Sequence, residues 1–315
     1  MYPAVVVRTR LAPSPTGALH LGNARTFLLT WLWARAQGAE LVFRMEDLDG
    51  PRTKPGAAEE ALADLRWLGL DWDGEVLWQS RRAAAHAEAL AALRRKGLVY
   101  PCACTRKEIL AARSAPNEGD GRARYPGTCR GRGAEVLAGG RPPAWRFRAP
   151  PGRRLRFRDG LRGPEEGVPA DVEGDFVVAK KTGEAAYQLA VVVDDAFQGV
   201  DCVIRGDDLV PSTFLQLLLY EALELPVPRF VHLPLVRGPD GRRLAKRHGD
   251  TRLRRYREAG VPPERVLGLL AHWSGLGPRE PVSARELLAR GFAWERVPRA
   301  DRTFTAADDA WLLAG

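Results

Sequence analysis

A histidine closing a stretch broken by prolines and glycines is the first place in this 315-residue chain where residue types and spacing allow chemistry. Residues 10–23 read RLAPSPTGALHLGN, after a β-branched VVVRTR and running into a helical pattern, ARTFLLTWLWARAQ. A strand that ends in such a turn and feeds a helix brings backbone amides and a helix N-terminus to the carboxyl edge of a parallel sheet, where phosphates bind. The stretch matches neither G-x-x-x-x-G-K-[ST] nor G-x-G-x-x-G, which excludes a P-loop and the dinucleotide fingerprint. It offers His20, Gly22 and Asn23 instead. A neutral imidazole can donate one hydrogen bond to a phosphate, and Gly22 leaves room for an adenine ring against the backbone. On residue chemistry alone a lone histidine is more often a structural residue, so the reading stays open.

Three further groups carry chemical potential. RRLAKRHGD, residues 242–250, is a basic loop after an apolar FVHLPLV. Only six of the 48 basic residues are lysines, so Lys246 stands out as a point charge in a chain that otherwise writes arginine. Arg10, Glu46 of FRMEDLD, Tyr187 of AYQLA and Arg205 of VIRGDDL all follow strand-like runs, where each reads as a ligand contact or as an ion pair or packed ring. Cys102-x-Cys104 and Cys129 form a cluster, either a metal site or buried thiols, while Cys202 in VDCVIR reads as core.

The elements that must position these residues alternate. VVVR, LVFRM, CVIR and FVHLPLV read as strands; ARTFLLTWLWARAQ, EEALADLRWLG, AAAHAEALAALRRK and TFLQLLLYEAL read as helices. In the first helix Ala24, Phe27, Leu28, Trp31 and Leu32 share one face, and Gly38 marks its end. Thr105 with Glu108 and Thr213 with Gln216 have the spacing of capping boxes. The alternation predicts an α/β, doubly wound parallel sheet, with residues 101–185 as an insertion that breaks it. Residues 114–143 and 159–174, rich in Gly, Pro and charge, read as loops.

The net charge of +9 favours a polyanionic partner. No run approaches the ~20 apolar residues of a membrane span, and the N-terminus lacks the pattern of a signal peptide, so the expectation is a cytoplasmic protein with no membrane partner.

PSPTGALHLGN resembles the first signature of class I aminoacyl-tRNA synthetases, and RLAPSPTG is similar to its form in the glutamate and glutamine branch. Arg243 to Arg247 stand where that class carries Lys-Met-Ser-Lys-Ser; Arg243, Ala245 and Arg247 depart from it, and Lys246 keeps the second lysine. The resemblance implies a Rossmann-type domain that activates an amino acid with ATP and Mg²⁺, with His20, Gly22, Asn23 and Lys246 at the nucleotide. It implies L-glutamate as the amino acid, held by Arg10, Ala12, Ser14, Glu46, Tyr187 and Arg205. Cys102, Cys104, Tyr125 and Cys129 are similar to the structural zinc knot of the branch's acceptor-binding insertion.

Only residues 250–315 follow the second signature, too few for a helical anticodon cage. That resembles a truncated paralogue family, the glutamyl-queuosine tRNA(Asp) synthetases, and implies transfer of glutamate to queuosine at the wobble position of tRNA(Asp). The expected organisation is 1–100 and 186–248 as two halves of the catalytic domain, 101–185 as the inserted zinc subdomain, 249–315 as a helical region, and a monomer. A truncated glutamyl-tRNA synthetase charging tRNA(Glu), and an inactive tRNA-binding paralogue, remain open alternatives.

Overall fold

The computed structural model describes residues 7–48, 53–111, 124–242, 244 and 250–314. In chain order the first half forms β1 (Arg8–Leu11), α1 (Leu21–Gln37), β2 (Glu40–Met45), α2 (Ala57–Trp67), β3 (Val76–Trp78), α3 (Ala83–Arg95), β4 (Val99–Cys102), α4 (Arg106–Ala111), α5 (Gly133–Ala138), β5 (Ala144–Phe147), β6 (Leu155–Asp159) and β7 (Gly163–Gly167). There follow α6 (Pro169–Glu173), β8 (Val177–Ala179), α7 (Tyr187–Phe197), β9 (Cys202–Gly206), α8 (Val210–Leu223), β10 (Arg229–Leu233), β11 (Val236–Arg237), α9 (Leu253–Glu258), α10 (Pro263–Trp273), α11 (Ala284–Ala289), β12 (Arg302–Thr303) and α12 (Ala306–Leu313). LVFRM and CVIR lie within β2 and β9, and ARTFLLTWLWARAQ and TFLQLLLYEAL within α1 and α8; EEALADLRWLG and AAAHAEALAALRRK overrun the ends of α2 and α3, FVHLPLV divides between β10 and β11, and VVVR meets β1 only at Arg8, with Val5 and Val6 outside the described residues.

β1, β2 and β3 pair in parallel, as do β9, β10 and β6, with β7 added antiparallel as a hairpin on β6. The two sets meet where β1 runs beside β9, and the Asp201 amide donates to Arg8 O at 3.1 Å. The spatial order is therefore β3-β2-β1-β9-β10-β6-β7, an α/β Rossmann-type arrangement. Its order reverses between β1 and β9, and a crevice opens there at the carboxyl ends of the strands.

Period two sorts the strand residues onto two faces. Leu11, Phe43, Cys202, Ile204 and Leu233 join one core with α1 and α10, while Val42, Val203 and Phe230 join a second with α3, α7 and α8. Arg10, Arg44, Glu46, Arg205 and His232 alternate onto the second face, so their side chains meet α7 and α8. Burial on both faces also explains why α1 is apolar beyond its predicted stripe: Leu21, Leu29 and Trp33 are buried along with Ala24, Leu28, Trp31 and Leu32. It ends at Gly38, whose φ of 62° is the left-handed conformation a C-terminal cap needs.

Two expectations change. The stretches read as loops contain α5, β7 and α6, and residues 155–167 add a hairpin to the main sheet, while β4, β5 and β8 form a separate antiparallel sheet. Thr105 and Glu108 do form reciprocal capping bonds, but Thr213 and Gln216 do not, because α8 starts earlier, at Val210.

At Gly268 in α10 an added Cβ would lie 1.9 Å from Glu280 O, in the segment crossing the helix. Alanine in a helix normally gains ~1 kcal/mol over glycine. Here Gly268→Ala is expected to reverse that sign and cost about 1–3 kcal/mol of unfolding free energy through overpacking, read from urea denaturation.

Candidate active site

The turn after β1 delivers His20 to the N-cap of α1 in an extended conformation. Its Nδ1 accepts from the amides of Gly22 at 3.1 Å and Asn23 at 3.3 Å, and Asn23 Oδ1 accepts from the His20 amide at 3.4 Å. With Nδ1 used as an acceptor, a neutral ring carries its proton on Nε2 and is a donor there. This alters the expectation that the helix amides themselves await a phosphate, since two of them face the imidazole. A Cβ on Gly22 would sit 3.0 Å from His20 Cε1, so Gly22 is spent in part on seating that ring.

A cavity of about 430 Å³ opens at the crevice between β1 and β9. Its wall includes His20, Gly22 and Asn23 on one side and Arg10, Ala12, Ser14, Glu46, Tyr187 and Arg205 on the other. The structure thus brings nine of the sequence-predicted residues to one space. Lys246, with Arg243, Ala245 and Arg247, lies outside the described residues. The segment leading to it begins on the cavity wall, at Pro234, Leu235 and Val236. That segment is held by the pairing of β11 with β12, by Asp301, which accepts from the Leu235 amide at 2.8 Å, and by Arg25 Nη1, which donates to Pro234 O at 2.6 Å.

At the other end Arg10 and Arg205 line the cavity, and Arg44 is buried behind Glu46. Arg44 donates to Asp195 Oδ1 at 2.6 Å and to Glu46 Oε1 at 3.0 Å. Burial alone would lower its pKa, but the attraction of Asp195 and Glu46 outweighs burial and raises it. Arg10 donates to Ile204 O at 3.0 Å, and its Nε lies 3.4 Å from the same Asp195 carboxylate. Glu46 is also reached by Ser14 Oγ at 3.4 Å.

Arg205 differs from both. Its Nη2 donates to Thr213 Oγ1 at 2.7 Å and Gln216 Oε1 at 2.8 Å, and its Nε donates to His232 Nε2 at 3.1 Å. These acceptors are neutral, and among the described residues no carboxylate lies within ion-pair distance of this guanidinium. Burial lowers its pKa, and Nη1 is buried without a hydrogen-bond partner. A cation so placed gains from an anion entering the cavity. Sequence reasoning missed Arg44, Asp159, Asp195, Thr213, Gln216 and His232; the visible signal was a charged or polar residue interrupting an apolar run, as in LVFRM and FVHLPLV.

In the region of β4, Cys102, Cys104 and Cys129 place their Sγ atoms within 4.8 Å of one another. Tyr125 Oη lies 3.3 Å from Cys102 Sγ and 3.8 Å from Cys104 Sγ, so the four predicted ligands form one group. The Tyr125 amide donates to Glu173 O at 2.9 Å, and its backbone passes so close to Gly174 that a Cβ there would lie 2.5 Å from Tyr125 O. Burial pushes the Cys104 thiol up to about 11. Three soft sulfurs and one oxygen in this compass suit a tetrahedral Zn²⁺, whose charge would release the thiol protons. Cys202 is in the core.

Residues 6–305 match the family model for tRNA synthetases class I (E and Q), catalytic domain. A protein of Nocardia farcinica called Glutamyl-Q tRNA(Asp) synthetase is 52% identical over 92% of this chain and 90% of its own. One of the same name from Rhodopirellula baltica is 48% identical over 95% of this chain and 96% of its own. Among solved structures, a glutamate tRNA ligase of Elizabethkingia meningosepticum, in complex with its amino acid, superposes with a TM-score of 0.81 at 29% identity, over 97% of this chain and 68% of that one.

Asp195 is buried between two guanidinium groups, so Asp195→Asn leaves Arg44 and Arg10 short of counter-charge. The expected loss is about 3 kcal/mol or more of folding stability, read from chemical denaturation.

Proposed function

The chain belongs to the class I tRNA synthetase family of the glutamate and glutamine branch, and we propose that it activates L-glutamate with ATP and transfers it to queuosine at the wobble position of tRNA(Asp). The observation that carries the amino-acid assignment is Arg205, a buried cation with neutral partners whose Nη1 has none. The side-chain carboxylate of glutamate would pair with it, Tyr187 would offer its hydroxyl, and Glu46, oriented by Arg44, would take the ammonium. The α-carboxylate then turns towards His20 and the nucleotide. The acceptor assignment rests on near-full-length similarity to proteins named for that reaction.

In the first step an α-carboxylate oxygen attacks the α-phosphorus of ATP, the bond to the β-phosphate oxygen breaks, and pyrophosphate leaves. The protein's part is alignment and charge stabilisation. His20 Nε2–H would donate to a phosphate oxygen, its ring held by the amides of Gly22 and Asn23. Lys246 is the residue expected to add a point charge on the leaving phosphates. Mg²⁺ entering with ATP supplies further charge neutralisation. In the second step a hydroxyl of the queuosine cyclopentenediol attacks the activated carbonyl, AMP departs and an ester forms.

We assign Cys102, Cys104, Tyr125 and Cys129 to a structural zinc that ties together the region of residues 101–185, which we take as the acceptor-binding insertion. Among the described residues no helix is long and apolar enough to cross a membrane. The basic surface would track tRNA phosphates, and we place the reaction in the cytoplasm, where tRNA and ATP meet.

Radiolabelled glutamate supplied with ATP should label tRNA(Asp) carrying queuosine, and neither the same tRNA without the modification nor tRNA(Glu). Labelling of tRNA(Glu) alone would overturn the acceptor assignment. Metal analysis of the purified protein should find about one zinc per chain. Cys104→Ser should lose that zinc and lower the melting temperature, because the bound metal contributes directly to folding.

A further inference from the structure

Arg205 is aimed by a chain of residues that reaches across three strands. In the parallel ladder β9 and β10 place Arg205 directly opposite His232, and β10 and β6 place Phe230 opposite Asp159. Asp159 Oδ2 lies 2.6 Å from His232 Nδ1, and its carboxylate also accepts the amide of His232 and, at 2.9 Å, those of Leu161 and Arg162. A carboxylate held this firmly fixes the imidazole proton on Nδ1. Nε2 then keeps its lone pair and accepts from Arg205 Nε at 3.1 Å.

The ring stays neutral in this setting. Burial is the largest cause, and with the neighbouring Arg205 it pulls His232 down to about 4 against the attraction of Asp159. From α8, Thr213 and Gln216 are one helical turn apart on the face turned to β9 and take both hydrogens of Arg205 Nη2. The Thr213 hydroxyl has two acceptors within reach for its own proton, the Leu209 carbonyl at 3.2 Å and His232 Nε2 at 3.0 Å, so it ties His232 and Arg205 together from α8. Three of the five N–H groups of the guanidinium are thereby directed to neutral acceptors, and the two on Nη1 remain.

We propose that His232 is a positioning residue for substrate choice: backed by Asp159, it holds Arg205 with its full charge and Nη1 presented to the cavity, which favours a side-chain carboxylate over the isosteric carboxamide. The proposal rests on the reading that Arg205 meets the side-chain carboxylate of glutamate. If Arg205 were instead paired with an acid in the protein, its charge would already be compensated, and glutamate and glutamine would differ far less in affinity. Neutral acceptors orient the guanidinium without cancelling its charge.

The experiment measures amino-acid-dependent pyrophosphate exchange, with glutamate and with glutamine, for wild type, His232→Phe, His232→Gln, Thr213→Val and Arg205→Leu, alongside melting temperatures. His232→Phe is expected to raise KM for glutamate at least tenfold, leave KM for ATP within twofold, and reduce the preference for glutamate over glutamine at least tenfold. His232→Gln, which restores an acceptor, should recover most of that loss. A folded His232→Phe with KM for glutamate within twofold of wild type, or with kcat and KM for ATP changed as much as KM for glutamate, overturns the proposal. Should His232→Phe fail to fold, Thr213→Val decides: a threefold to tenfold rise in KM for glutamate supports the relay, and an unchanged value overturns it. Arg205→Leu separates the two readings, since an unchanged KM for glutamate in that variant removes the pocket assignment itself, whereas a large rise with no effect at His232 removes only the relay.

Discussion

Buried charge must balance, and at the end of the cavity proposed for the amino acid it does not. Arg10, Arg44 and Arg205 are buried there, and among the described residues their direct ionic partners are Glu46 and Asp195, three cations against two anions; the buried Asp159 reaches Arg205 only through the neutral ring of His232. Asp195 serves Arg44 and Arg10 together, and Glu46 pairs with Arg44. The excess positive charge resides on Arg205. A ligand with two carboxylates and one ammonium carries one net negative charge and closes the balance, while a zwitterion with a neutral side chain leaves it open. The geometry of α7, α8 and the central strands can be read as the means of keeping that imbalance stable in the absence of ligand.

The end proposed for the nucleotide follows a different economy of parts. The imidazole of His20 is both the N-cap of α1 and a cavity-facing donor, so the group proposed to touch phosphate is fixed by the helix it starts. Gly22 is small because the ring must lie over it. At the far side, β12 and Asp301 hold the strand that precedes the Arg243–Arg247 segment, which links the chain's last helices to the cavity wall.

Much of the fold was legible, since strands written as LVFRM or CVIR and helices written as TFLQLLLYEAL show their periods openly. The turn at Arg10–Asn23 was legible as a motif. What sequence spacing misjudged was the partner of a polar residue inside an element. Thr213 and Gln216 have the spacing of a cap, yet they lie inside α8, and their partner is Arg205 on a strand beside them. His232 and Asp159 act only through register across β9, β10 and β6, which no local pattern encodes. Arg44 sits within the run LVFRM with no local partner to mark it, and α7 brings Asp195 to it.

The seam between β1 and β9 joins residues far apart in the chain, as the bond from Arg10 to Ile204, 194 positions away, shows. During synthesis from the N-terminus, the first signature and its histidine leave the ribosome long before the strand that carries Arg205. A nascent chain therefore holds one wall of the crevice without the other and has no closed pocket in which to commit ATP. Competence to activate an amino acid arrives late and all at once, when the second half of the sheet docks against the first.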